Sequence, residues 1–155
     1  RGEFAVSPSP GSRHQRIVRK LAAAFESYVK RTGAGEYLFS PMDVILSEEV
    51  VVQPDLLFVA KSRRRIIGDR VRGAPDVVIE VLSPETADRD RFVKRDLYER
   101  FGVSEYWILN PDARTAEIFT LQDSAYGAAQ VFEAGDRVST RALPGFELDL
   151  SRIWE

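Results

Sequence analysis

The chain has 155 residues, of which 44% are hydrophobic and 30% charged, with a formal net charge of −2 and no cysteine. This length and composition predict one soluble globular domain over residues 1–155, without disulfides, thiolate metal sites or a cysteine nucleophile. The near-neutral charge argues against a strongly basic surface dedicated to nucleic-acid binding, although a local basic patch remains compatible with it. Because no apolar run could span a membrane and the N-terminus lacks a signal-peptide core, we expect no membrane association and a cytoplasmic location.

The first half of the chain predicts one long helix followed by strands. Residues 1–11 contain two Ser-Pro pairs and read as a short strand followed by an extended connection. Apolar residues at three-to-four residue spacing predict a helix from about Ser12 to Arg31. Strands are predicted at 37–39, 44–46 and 56–59. The basic segment 61–72 predicts either an exposed hairpin or a short helical excursion, and its pattern does not decide between them.

The second half predicts a buried strand, a helix and further strands. The buried strand covers 76–82. A helix capped by Thr86 or Asp88 then runs to about Arg100, with Val93, Leu97 and Phe101 on its inner face. Further strands are expected at 105–109, 117–121, 129–132, 138–141 and within 146–154. This order of elements predicts an α/β protein with a mixed sheet.

Glu80 is the most informative residue, because it lies in the middle of the predicted buried strand. The run from Asp76 to Leu82 is otherwise rich in Val and Ile and is bounded by prolines, as in strands covered on both faces. A carboxylate buried there costs on the order of several kcal/mol unless something compensates its charge. A functional partner is favoured, and a structural ion pair with an arginine is the alternative.

Three Pro-Asp dipeptides supply candidate partners for Glu80. Asp112 lies in a turn composition that needs no further explanation. Asp76 shares the face of Glu80 but lies four residues away, about 13 Å along a strand, which is too far to share one metal ion. Asp55 precedes a different strand and can lie beside Glu80, although a strand-capping role explains it equally well.

Two carboxylates from adjacent strands suit a hard divalent cation such as Mg²⁺. Such a cation activates water and stabilises charge on a phosphoryl oxygen. Lys94, on the helix that follows the Glu80 strand, is the candidate for orienting the water or neutralising charge. Asp90, four residues earlier, offers Lys94 a purely structural helical ion pair instead.

Two weaker features complete the set of candidates. His14 is the only histidine and can point inward from the first helical turn, although histidines at this position are more often structural or exposed. The basic segment 61–72 is most simply a solvated loop, and it is also where a phosphate backbone would dock. Glycine-rich phosphate loops, nucleophile elbows and zinc signatures are absent from the sequence.

Together these segments resemble the Uma-two family of restriction-endonuclease-like proteins, members of the PD-(D/E)xK nuclease superfamily. The resemblance covers about residues 3 to 121. The matching segments are, in order, Ser7-Pro8-Ser9-Pro10, His14-Gln15, Gln53-Pro54-Asp55, Gly73 to Asp76, Glu80 to Pro84, Arg89-Asp90, Lys94, Tyr98 and Gly102 to Trp107.

The resemblance implies a restriction-endonuclease-like mixed β-sheet core flanked by helices, with Mg²⁺- or Mn²⁺-dependent hydrolysis of DNA. Asp55 matches the aspartate of the signature and Glu80 its second acidic member, so both would be metal ligands. The signature lysine lies two residues after the glutamate, where this chain has Leu82. In this superfamily that lysine can migrate to the following helix, which would make Lys94 the third catalytic residue. His14, Asp76 and Asp90 are supporting candidates.

Two functions remain open on the sequence. One is a metal-dependent endonuclease acting on duplex or single-stranded DNA. The other is a catalytically inactive nucleic-acid-binding or interaction module of the same fold, which the near-neutral charge and the displaced lysine favour. A homodimer is a weaker hypothesis, based on Trp107, Trp154 and the dimeric action of many nucleases of this fold.

Overall fold

A seven-stranded mixed sheet forms the centre of the protein. The structure is a computed structural model and describes residues 11–84 and 87–155, with side chains left undescribed at 87–91. The strand expected near the N-terminus and the helix cap at Thr86 lie outside the described residues. Neither helix in the described ranges is long and apolar enough to cross a membrane.

The elements confirm the predicted α/β order. The helices are α1 (Ser12–Thr32) and α2 (Ala87–Phe101), and two 3₁₀ helices cover Lys61–Ile66 and Leu150–Arg152. The strands are β1 (Gly35–Phe39), β2 (Val44–Ser47), β3 (Val50–Val52), β4 (Leu56–Ala60), β5 (Val71–Arg72), β6 (Val77–Val81), β7 (Glu105–Asn110), β8 (Thr115–Gln122), β9 (Ala125–Tyr126), β10 (Gln130–Phe132), β11 (Arg137–Thr140) and β12 (Leu143–Asp149).

The central sheet has the order β1-β4-β6-β7-β8-β10, with β9 paired to β8. Its strands pair in antiparallel fashion except β6 and β7, which are parallel. A parallel pair needs a crossover connection, and α2 supplies it between β6 and β7. The strand that carries Glu80 is therefore followed directly by the helix that carries Lys94. Two smaller sheets, β3-β2-β5 and β11-β12, flank the central one.

Each face of the central sheet is covered, which buries strand β6 completely, as predicted. On one face, α1 and the β11-β12 hairpin pack in one large apolar cluster with alternate residues of β4 and β6. The face of α1 that enters this cluster repeats at the predicted spacing, and its buried residues are Ile17, Leu21, Phe25 and Tyr28. The other face of the sheet packs against Tyr98 of α2 and against the β3-β2-β5 sheet.

The predicted inner face of α2 is wrong at Val93, whereas Leu97 and Phe101 are partly buried. Val93 is 60% exposed, whereas Tyr98 is completely buried against Val78 and Tyr106. The helix turns toward the sheet the side that carries Lys94 and Tyr98, four residues apart. A lysine and a tyrosine on the inner side of a helix look like a solvent face in a hydrophobic pattern, and this explains the error.

The segment 61–72 is a short helical excursion, the second of its two predicted forms. It begins with the 3₁₀ helix Lys61–Ile66 and ends in β5, which pairs with β2 in parallel. An isolated bridge between Ile67 and Val71 closes the turn between them.

Candidate active site

Asp55 and Glu80 come from neighbouring antiparallel strands. The register of β4 and β6 pairs Leu56 with Ile79. One further step along this register sets Asp55, which directly precedes β4, opposite Glu80. Directly opposite residues share a face, with Cβ atoms about 4.5–5.5 Å apart. The backbone N–H of Val81 donates to Oδ2 of Asp55 at 2.7 Å and fixes the aspartate at this sheet end.

Glu80 is 7% exposed, and two side chains of α2 contact it among the described residues. The Nζ of Lys94 lies 3.4 Å from its Oε1. The hydroxyl of Tyr98 donates to its Oε2 at 3.0 Å. The cation beside Glu80 in the described part of the chain is thus a lysine, and not the arginine of the alternative interpretation.

His14 reaches the same site from the opposite face of the sheet. It lies in the first turn of α1, and its Nε2 is 3.2 Å from Oδ2 of Asp55. Its Nδ1 is buried and has no hydrogen-bond partner among the residues that the structure describes. The two helices therefore approach the carboxylates from both sides, α1 at Asp55 and α2 at Glu80.

Two acidic side chains face each other at this point, and their surroundings shift the pKa values of Glu80 and His14. Burial, reinforced by the charge of Asp55, raises the pKa of Glu80 to about 7, and Lys94 and Tyr98 only partly oppose that rise. The hydrogen bond to Asp55 raises the pKa of His14 above its ordinary value, against the effect of burial. A buried carboxylate with a raised pKa that faces a second carboxylate is an electrostatic setting that favours a bound cation.

The donor set fits a hard divalent cation. Within the described ranges, no group of three or more His, Asp or Glu side chains is arranged to hold a metal ion. Two carboxylates are nevertheless enough for Mg²⁺, which keeps several waters and is commonly bound through one or two carboxylates. His14 and Val81 both engage Oδ2 of Asp55, so Oδ1 carries no hydrogen bond from the described residues.

The other candidate residues from the sequence lie elsewhere in the fold or have side chains that are not described. Asp76 is at the opposite end of β6, where it accepts the N–H of Ala60 at 2.7 Å and lies 3.2 Å from Arg63. The side chain of Asp90 is not among those described. Asp112 is exposed in a turn, and its backbone N–H binds the side chain of Asn110.

Tyr98 is the site residue that the chemical reasoning missed, since it entered only as a position matching the family. The available signal was its spacing of four residues from Lys94, on the helix after a strand that buries a glutamate. Burial and the neighbouring carboxylate raise the pKa of Tyr98 above its ordinary value, so it remains a hydroxyl donor.

Replacing Tyr98 with phenylalanine is expected to destabilise the metal-free protein at pH 8. The variant leaves one oxygen of a buried carboxylate without its donor, and a hydrogen bond to a charged group contributes roughly 1.5–3 kcal/mol. Urea denaturation measures the loss. Tyr126→Phe is the matched control, because the Tyr126 hydroxyl donates at 2.8 Å to a neutral carbonyl, that of Val103. An equal loss in both variants would mean that the charge of Glu80 does not matter.

Comparison with known proteins identifies the family and supports the fold. The family model described as "Uma2: Putative restriction endonuclease" matches residues 1–151. A solved structure, described as "a putative nuclease belonging to DUF820 from Anabaena variabilis ATCC 29413", superposes with a TM-score of 0.80 and is 20% identical. The alignment covers 99% of this chain and 86% of that one, so the two share a fold. No curated protein matches the chain. Because the family match extends over nearly the whole sequence, the chain belongs to the Uma2 family of restriction-endonuclease-like proteins, as its motifs predict.

Proposed function

We propose that this protein is an endonuclease that hydrolyses phosphodiester bonds of DNA with the help of Mg²⁺ or Mn²⁺. The observation that carries the proposal is the convergence of three side chains. Asp55 and Glu80 face each other from adjacent strands, and Lys94 from the next helix lies 3.4 Å from Glu80. The family and the fold support a nuclease, and a nuclease family implies a nucleic-acid substrate.

Asp55 and Glu80 would hold the cation, since both are oxygen ligands of the kind that Mg²⁺ and Mn²⁺ take. When bound, the cation supplies an activated water and stabilises negative charge on the phosphoryl oxygens. The low exposure of Glu80 strengthens every electrostatic interaction at this point, because little water screens it.

The protein side chains orient the carboxylates and supply positive charge. Lys94 carries its ammonium group to the site from the helix, where it can donate to the attacking water or neutralise charge that develops on the phosphate. Tyr98 fixes one oxygen of Glu80, and His14 fixes one oxygen of Asp55. All these groups lie on strands or helices, except Asp55, which directly precedes β4, and this favours a preorganised site.

One observation favours a second candidate function. Glu80 already has a cationic partner in Lys94 and a donor in Tyr98, so the cost of its burial is partly offset without a metal. A catalytically inactive nucleic-acid-binding module of the same fold would retain the same contacts. The two candidates differ in chemistry, which makes a cleavage assay decisive between them.

Asp55→Asn is expected to reduce cleavage of plasmid DNA and of a single-stranded oligonucleotide by at least about 100-fold. The reason is that it removes one of the two carboxylate charges that would hold the metal. Conversion of plasmid to nicked and linear forms is measured in Mg²⁺, in Mn²⁺ and in EDTA. Asp112→Asn changes the same residue type in the same Pro-Asp context on an exposed turn and should cleave like wild type. Wild-type protein that leaves both DNAs intact with either metal would favour the binding module.

A further inference from the structure

The segment 61–72, called here the basic segment, concentrates positive charge on a chain whose net charge is −2. It contains six cationic residues and one carboxylate, that of Asp69. Three of the cations lie beside carboxylates elsewhere in the fold, in the pairs Arg63–Asp76, Arg64–Glu36 and Arg70–Asp43. Lys61, Arg65 and Arg72 have no carboxylate partner in the described part of the chain, so their charge is available to a ligand.

The available charge lines a concave surface. An open depression of about 770 Å³ is bordered by Arg65, Arg70 and Arg72, together with Ile66, Gly68 and Asp69. Its framework is fixed, because Ile66 and Ile67 pack on an apolar cluster and β5 is paired with β2. The arginines therefore project from an ordered backbone, which lowers the entropy lost when they bind.

The basic segment and the candidate active site lie on one face of the central sheet, at opposite ends of the same strands. Asp76 shares the face of Glu80 by strand alternation, and it pairs with Arg63 of the basic segment. Along β4, the six residue steps from Asp55 to Lys61 span roughly 20 Å. Phosphates of one DNA strand are spaced about 3.4 Å along the helix axis, so this span corresponds to roughly six nucleotides.

We infer that the basic segment is a second phosphate-docking surface, which holds the backbone of a DNA duplex roughly six nucleotides from the phosphate that is cut. The inference rests on the proposed function, because it takes duplex DNA as the substrate. Five of the six cations are arginines, whose planar guanidinium groups match phosphate oxygens in pairs. The segment has no aromatic residue, and Ile66, Ile67 and Val71 pack on an apolar cluster, so it lacks the large exposed anchors typical of protein interfaces.

The test is equilibrium binding of a fluorescent duplex of about 24 base pairs, measured by anisotropy in EDTA over a range of salt concentrations. The double variant Arg65→Ala/Arg72→Ala is expected to bind about tenfold more weakly, and the slope of log affinity against log salt should fall by roughly two. The control, Arg137→Ala/Arg141→Ala, removes the same charge from the β11-β12 hairpin on the opposite face and should bind like wild type. All four arginines are exposed, and thermal unfolding confirms that each variant is folded.

A third variant tests the sign of the effect. Asp69→Asn removes the one carboxylate at the depression and is expected to tighten binding roughly twofold, through weaker repulsion of phosphate. Unchanged affinity and salt slope in the Arg65/Arg72 variant, an equal loss in the control pair, or no tightening by Asp69→Asn would each overturn the docking surface. Because EDTA prevents metal-dependent cleavage, these results are independent of catalysis. A weakened Arg65/Arg72 variant of a protein that never cuts DNA would retain the docking surface and reject the nuclease.

Discussion

Replacing Glu80 with glutamine is expected to stabilise the metal-free protein at alkaline pH while it removes activity. Burial raises the pKa of Glu80 to about 7 from an ordinary value of 4.5. At a pH between these two pKa values, Glu80 is protonated in the folded protein and ionised in the unfolded chain. The free energy of unfolding therefore falls as the pH rises through this window. Glutamine carries no charge at any pH. The variant should therefore exceed wild type in free energy of unfolding by on the order of 2 kcal/mol at pH 8 and by much less at pH 5.

Urea denaturation of both proteins between pH 5 and pH 8 in EDTA measures this difference. The pKa of His14 is also raised, so His14 stabilises the folded protein at pH values below its ordinary pKa, and this stability is lost as the pH rises through its folded pKa. The resulting smaller slope of unfolding free energy against pH should persist in the variant. Plasmid cleavage by Glu80→Gln should fall at least about 100-fold. A variant that is less stable than wild type at pH 8, with activity retained, would identify Glu80 as a purely structural residue.

Replacing Lys94 with methionine is expected to reduce the turnover of DNA cleavage by roughly 10²–10⁴-fold while Mg²⁺ binding persists. Methionine keeps most of the apolar stem and removes the ammonium group, so the loss reports on charge and proton donation. The same change should lower stability at pH 8 in EDTA, because it leaves Glu80 buried without its cation.

Lys30→Met is the matched control for Lys94→Met. Lys30 also lies 3.4 Å from a glutamate, Glu26, but on the exposed side of α1. Exposed pairs of this kind contribute little, so the control should keep both stability and activity. Full cleavage activity in Lys94→Met would show that the displaced lysine of this sequence plays no catalytic part.

The sequence carried enough information to predict the fold class and to place Asp55 and Glu80 on different strands that can lie side by side. Glu80 inside an apolar run indicated a buried charge with a partner, and strand spacing separated Asp76 from Glu80. The structure confirms the burial of the strand, and it places Asp76 at the far end, where Asp76 accepts the N–H of Ala60. These inferences succeeded because they depend on local properties, namely the two-residue period of a strand and its rise per residue.

The details that failed depend on how distant elements pack. The side of α2 that meets the sheet carries Lys94 and Tyr98, which a hydrophobic pattern does not mark as buried. Val93 was therefore assigned inward and Tyr98 was overlooked. The contact of His14 with Asp55 joins residues 41 positions apart through the docking of α1 on the sheet. No periodicity along one segment encodes such a contact, because it arises from the tertiary arrangement.

Whether Asp55 and Glu80 share one divalent cation is tested most directly by calorimetric titration with Mg²⁺ and Mn²⁺ at pH 8. Wild-type protein is expected to bind one ion, and binding should be lost in both Asp55→Asn and Glu80→Gln but kept in Lys94→Met and Asp112→Asn. Affinity should weaken toward pH 5, because protonation of Glu80 competes with the metal. Wild-type protein that binds neither ion, or that binds as tightly after both carboxylate substitutions, would contradict the shared metal site.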